Sequence, residues 1–167
     1  MYSMKLTVIL HNVRSLHNVG SIFRTADATG VEKIYLCGIT PTPVDRFGKI
    51  RPQLAKVSLG AEKFVKWDAS ARSAQGIAKL IEKLKKDNYK IFAVEQDKNS
   101  IPYYKISRFQ IQDSKFCLVL GNEVHGLPKS ILNRADKILE IPMRGKKESL
   151  NVAVAFGIVV FRFRYAC

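Results

Sequence analysis

Three short segments concentrate the side chains that could do chemistry. In LVLGNEVHGLP (118–128), Gly121 and Gly126 bracket Asn122, Glu123 and His125 directly after an apolar run. A carboxylate and an imidazole this close at a strand end mark a candidate site; the plainer reading is a glycine turn. In EIPMRGKKESLNVAV (140–154), Arg144, Lys146 and Lys147 stand before Ser149 and Asn151, where a helix begins. Free N–H groups and the helix dipole both favour an anion there, and the alternative is a solvated loop with a serine cap. In SLHNVGSIFRTADATG (15–30), Val19, Ile22, Phe23 and Ala26 make an apolar helical face, and Arg24 follows one turn after Gly20. Asn18 could cap this helix, and Arg24 could pair with Asp27 at i+3 for about 0.2–0.5 kcal/mol.

The charge balance points to a polyanion. The 167 residues carry 28 Lys and Arg against 14 Asp and Glu, a net charge of +14. Nucleic acid is the first expectation for so basic a domain, with an anionic membrane and plain solubility behind it. Loop 44–56, VDRFGKIRPQLAK, mixes Arg46, Lys49, Arg51 and Lys56 with Phe47. Basic side chains there could follow phosphates while Phe47 stacks on a base; the alternative is a solvated loop with Phe47 in the core. Familiar signatures are missing from the sequence: there is no phosphate-binding P-loop, dinucleotide fingerprint, HExxH or Cys/His cluster. No metal is therefore expected. The three cysteines, Cys37, Cys117 and Cys167, have no close spacing, and the first two sit in apolar runs as packing residues. A reducing compartment fits them, and the apolar stretch at the start is too short for a signal peptide.

The elements that must position these residues alternate along the chain. KLTVILHNV, EKIYLCG, KFVKWDA, YKIFAVEQ, SKFCLVLGNE and DKILEIPM read as strands, several of them continuous apolar runs. Helical patterns lie at 15–30 and at 73–88, the latter with Ile77, Leu80, Ile81 and Leu84 on one face. A short helical piece follows the Pro-rich loop. The expected fold is therefore a single α/β domain over residues 1–167, a parallel sheet with helices on both faces. VAVAFGIVVF (152–161) is apolar at every position, so as a helix it should be covered all round, by an enclosing loop or a second subunit. Arg162 and Arg164 would suit that helix's C-terminus.

NVGSIFRTADATGV, LVLGNEVHGL and IPMRGKKESLNVAVA, in that order and spacing, resemble the three motifs of the SpoU/TrmH family of SPOUT RNA methyltransferases. The resemblance runs from about residue 12 to residue 161. It implies transfer of a methyl group from S-adenosylmethionine to a ribose 2′-hydroxyl of tRNA or rRNA. It also implies a deep C-terminal trefoil knot, a homodimer through the last helix and knot region, and a cytoplasmic protein without a membrane. Carried onto this chain, the motifs make Gly121, Ile141 and Leu150 cofactor contacts, with Glu95 at the preceding strand end. Asn18 and Arg24 match the catalytic positions of the first motif, and Glu123, Ser149 and Asn151 the polar positions of the others. The family proposal makes Arg24 the base. Because arginine stays protonated, Arg24 could instead hold the neighbouring phosphate while the proton goes to phosphate, Glu123 or water.

RNA contacts are expected from Arg14, Arg46, Lys49, Arg51, Lys146 and Lys147. Gly20 would leave the first helix bare beside Arg24, open to RNA or a second subunit. Many relatives carry an added RNA-binding domain or helical extensions, and no separate extension is expected here. Two other readings are an inactive RNA-binding or assembly factor with the same fold, and a methyltransferase acting on a base or a protein side chain.

Overall fold

The computed structural model describes residues 4–111 and 114–165, the side chains of residues 108 and 109 excepted. Cys167 lies outside them. In chain order the elements are β1 (Lys5–His11), α1 (Leu16–Ala28), β2 (Lys33–Cys37), α2 (Pro52–Ser58), β3 (Lys66–Asp68), α3 (Ala74–Lys86), β4 (Tyr89–Val94), β5 (Ile101–Pro102), α4 (Arg108–Ile111), β6 (Lys115–Leu120), α5 (Lys129–Leu132), β7 (Lys137–Glu140) and α6 (Val152–Arg164). The strands form one sheet in the order β3-β2-β1-β6-β4-β7-β5, and every ladder is parallel. The two-residue β5 was not expected. It adds a short edge to β7 through Ile101 and Pro102, too few residues to leave an alternating signal.

Alternation along the strands splits the core into two layers. On β1, Leu6, Val8 and Leu10 pack with Val19, Ile22, Phe23 and Ala26 of α1 and with Phe156, Val159, Val160 and Phe163 of α6. Ile9, Cys117 and Val119 face the other way, against Ile77, Ile81 and Leu84 of α3 and Ile131 and Leu132 of α5. Helices thus cover both faces. Leu80 of α3 is only partly buried, at the edge of its layer. Cys37 and Cys117 are buried packing residues, and burial pushes each thiol up to about 12.

One expectation changes at the first helix. Gly20 is buried, not bare. A Cβ on it would stand 2.8 Å from the Leu54 carbonyl oxygen and 3.1 Å from Val57 Cβ, so its missing side chain is the space that admits α2. The last helix is not covered all round by its own chain, since Val154 is 51% and Phe161 46% exposed. Its cap is Asn151, whose side-chain oxygen accepts the Ala153 and Val154 N–H groups; Ser149 lies outside the helix. Arg164 donates to the carbonyls of Thr29, Gly30 and Met4, and Arg162 to those of Tyr104 and Ile106. The two arginines therefore fasten neighbouring segments, and Arg164 places a cation at the end of α1, whose last turn has none.

Candidate active site

The carboxyl ends of β4, β6 and β7 open into one hollow of about 240 Å³, closed on one side by the start of α6. Glu95, Gly121, Glu123, Ile141, Ser149 and Leu150 all line it. Six of the expected site residues, from three separate segments, therefore meet in one place. Met143 and Gln96 line it too, and sequence reasoning did not single them out. Met143 stands inside the third motif with no charge or pattern to mark it. Gln96 is one residue past Glu95 at the end of β4.

The floor is made of close backbone. A Cβ on Gly121 would lie 2.6 Å from the Gly126 carbonyl carbon. Gly126 has φ +64°, and a Cβ there would meet Glu95 Oε2 at 2.3 Å. Both glycines are thus needed, the second for its backbone conformation as well as for space. Glu95 accepts the Leu127 N–H on Oε2 and the Gln96 N–H on Oε1, each at 2.9 Å, so it holds the loop after β6 in place. Asn122 ties the same loop to β1: its amide donates to the Asn12 carbonyl, and its oxygen accepts the Val124 and His125 N–H groups.

Glu123 joins the first motif to this loop. Its Oε1 accepts the Ser15 N–H at 3.1 Å and the Asn18 side-chain amide at 3.0 Å, and its Oε2 accepts the Arg14 N–H at 3.1 Å. Asn18 Oδ1 in turn accepts the Asn151 amide at 3.0 Å, and Asn151 caps α6. A polar chain therefore runs Glu123–Asn18–Asn151 to the start of α6. Burial raises the Glu123 pKa, but the donors from Arg14, Asn18 and Ser15 outweigh it and hold the carboxyl below the usual glutamate value. Asn18 does not cap α1. Ser15 does, accepting the Asn18 N–H.

The other expected residues are mostly at the surface. Arg24 is exposed and, among the described residues, makes no hydrogen bond or ion pair; the pairing with Asp27 is not formed. It does not line the hollow. Arg46, Lys49, Lys56, Lys146 and Lys147 are exposed, as is the Arg14 side chain. Phe47 is 72% exposed with the Arg46 guanidinium 4.7 Å over its ring, so it is not folded into the core. Arg51 is half-buried at the start of α2, and its Nε is buried without a partner. His125 is exposed at the mouth of the hollow, His17 is exposed, and burial lowers the pKa of His11.

The sequence profile of the SpoU rRNA methylase family matches residues 5–161, nearly the whole chain. The chain belongs to this family. A Staphylococcus haemolyticus protein assigned to the TrmH family of tRNA/rRNA methyltransferases is 31% identical over 158 residues, 95% of this chain and 57% of that protein. The AdoMet-bound rRNA methyltransferase of Sinorhizobium meliloti has the same fold, with a TM-score of 0.82, 28% identity, and coverage of 98% of this chain and 57% of that one. A second solved structure, giving structural insights into the 2-OH methylation of C/U34 on tRNA, has a TM-score of 0.75 at 26% identity and covers 96% of this chain and 93% of that one. The chain spans about three fifths of the length of the curated relatives it matches. Among the described residues no helix is long and apolar enough to cross a membrane.

Proposed function

We propose that this SpoU-family chain transfers a methyl group from S-adenosylmethionine to the 2′-hydroxyl of a ribose in tRNA or rRNA. The observation that carries this reading is the hollow at the ends of β4, β6 and β7, bound by hydrogen bonds through Glu123, Asn18 and Asn151 to the first motif. Its residues fit the cofactor. Gly121 offers bare backbone, Ile141, Met143 and Leu150 offer apolar wall, and the loop around Gly126 is held rigid from beneath by Glu95.

S-adenosylmethionine supplies a methyl group on a positively charged sulfur. In the transfer a bond forms between that carbon and the 2′-oxygen, the carbon–sulfur bond breaks, and the hydroxyl proton leaves. Positive charge is dispersed, so what the chain must provide is alignment and exclusion of water. The backbone floor at Gly121 and Gly126 and the apolar wall serve that task. Glu123 is a poor proton acceptor, since both its oxygens take N–H donors and its pKa is lowered. Its work is to hold Asn18 and the start of α1 against the loop. Arg24, exposed and without a hydrogen-bond or ion-pair partner among the described residues, serves as a bidentate phosphate holder that orients the ribose, and the proton passes to phosphate or water.

The protein acts as a homodimer in this reading. Leu150, Val154, Phe161 and Tyr165 form an exposed apolar stripe along α6, with the Phe161 and Tyr165 rings stacked at 5.9 Å. Such a stripe is what a second copy would cover, and α1, which bears Arg24, packs beside α6. In this reading the C-terminal part is tied in a trefoil knot, with Phe163 of α6 packed on Phe92 and Phe116 of the sheet. The cytoplasm, where tRNA and rRNA reside, is the expected location. The exposed Arg46, Phe47 and Lys49 support loop 44–56 as an RNA contact, joined by Arg14, Lys146 and Lys147.

The test is methyl transfer from labelled S-adenosylmethionine to tRNA and rRNA of a host lacking the gene, with mass spectrometry of the digested nucleosides. Label on ribose is expected. Label on a base, or none, overturns the proposal. Gly121→Ala should abolish both cofactor binding in calorimetry and the reaction, because its Cβ enters the Gly126 backbone.

A further inference from the structure

We propose a second RNA-docking surface, at the amino ends of the strands, opposite the hollow. It binds a single-stranded segment, with Phe64 stacking on a base and lysines on the flanking phosphates. The inference rests on the reading that the substrate is RNA. In a parallel sheet all strands start at one edge, and here that edge is basic. Lys66 and Lys33 are register partners on β3 and β2, and Lys5 and Lys115 on β1 and β6. Aromatic rings stand among them: Lys33 Nζ lies 4.8 Å over Tyr35, and Lys115 Nζ 5.6 Å over Tyr89.

Phe64 is the centre of this surface. It is 77% exposed. Lys33, Lys66 and Phe64 itself line two hollows here, of about 380 and 520 Å³. Tyr35 and Tyr89 line the larger one, and Lys63 the other. Three carboxylates lie here, and one of them pairs with a lysine. Asp68 pairs with Lys33 at 3.5 Å, Glu62 is buried and accepts the Ser58 hydroxyl, and Glu32 faces the Tyr89 hydroxyl at 3.5 Å. Lys63 and Lys66 are left exposed and unpaired among the described residues. An exposed ring shared by two lysine-lined hollows suits a splayed base and its phosphates, because every base has a stackable face. A membrane surface would want several protruding apolar groups on a smooth face, whereas lysines line the hollows beside Phe64. The seven residues of β1 separate this edge from the hollow by about 20 Å. An RNA could therefore be anchored here while its reacting ribose lies at the far end.

Titration of a labelled single-stranded oligouridylate, at several salt concentrations, tests this. Phe64→Ala should weaken binding roughly five- to a hundred-fold. Lys63→Ala and Lys66→Ala should each reduce the slope of log affinity against log salt by about 0.7. These residues lie outside the core, so thermal melts should match the wild type. With full-length RNA substrate, the same variants should raise KM and leave kcat unchanged. Unchanged affinity and slope would overturn the proposal. So would binding to phosphatidylserine vesicles in place of the oligonucleotide, or a Phe64-dependent change of oligomeric state with oligonucleotide binding intact. Phe64-dependent oligouridylate binding by a chain that methylates no RNA would uphold this surface and sink the catalytic reading alone.

Discussion

Glu123 is the residue whose environment says most about its work. Three donors on two oxygens leave it little capacity to take a substrate proton, and they favour its charged form. A carboxyl whose folded pKa is depressed adds stability that is present above its unfolded pKa and is lost as pH falls through the folded value. Glu123→Gln should therefore destabilise the chain at neutral pH, and the difference should shrink below about pH 4. Urea melts of both proteins between pH 7 and pH 3 measure this. A constant difference across that range would mean the charge is not what the three donors hold. The motif resemblance marked Asn18 as a catalytic position and Glu123 and Asn151 as polar ones, but not that they bond to one another. They are 105 and 133 residues apart, and only a fold can join groups at that separation.

At the scale of elements, the first helix is set by what it lacks. Its apolar face was legible, because Val19, Ile22, Phe23 and Ala26 recur at helical spacing and all four are buried. The use of Gly20 was not, because an absent side chain carries no sign of which neighbour fills its place. Leu54 and Val57 of α2 do so. Gly20→Ala should gain up to about 1 kcal/mol of helix propensity, and should lose more from the clash with the α2 backbone. A net destabilisation of about 1–2 kcal/mol in denaturant melts is expected. Stabilisation would mean α2 moves aside freely. The cap of α6 teaches the same lesson. Both Ser149 and Asn151 are good capping types, and the path of the loop over the hollow selects Asn151.

For the whole molecule, the proposed function requires Arg24 to reach the reaction, yet within one chain it does not line the hollow. A homodimer through α6 offers a route, with one protomer's Arg24 serving the other's hollow. Two dead variants should then complement. Arg24→Ala mixed with Gly121→Ala through unfolding and refolding should recover about a quarter of wild-type activity, since half the dimers are mixed and each has one intact site. No recovery in demonstrably mixed dimers would place Arg24 on its own chain's substrate.

The sequence by itself determined the alternation of strands and helices, the two-sided core and the segments that supply the hollow. Those follow from local periodicity, from apolar runs and from glycines whose spacing survives any folding. The three motifs also carried the family, and with it every residue expected at the cofactor. Only the tertiary structure decided that Glu95 holds a loop from beneath, that Gly20 seats a helix, that Arg162 and Arg164 fasten neighbouring carbonyls, and that a basic aromatic surface lies at the far edge of the sheet. The strand-initial lysines are each unremarkable in sequence, and their alignment exists only because the strands are parallel and in register. Partners brought together from distant parts of the chain leave no periodic trace, which is why these contacts had to be read from the fold.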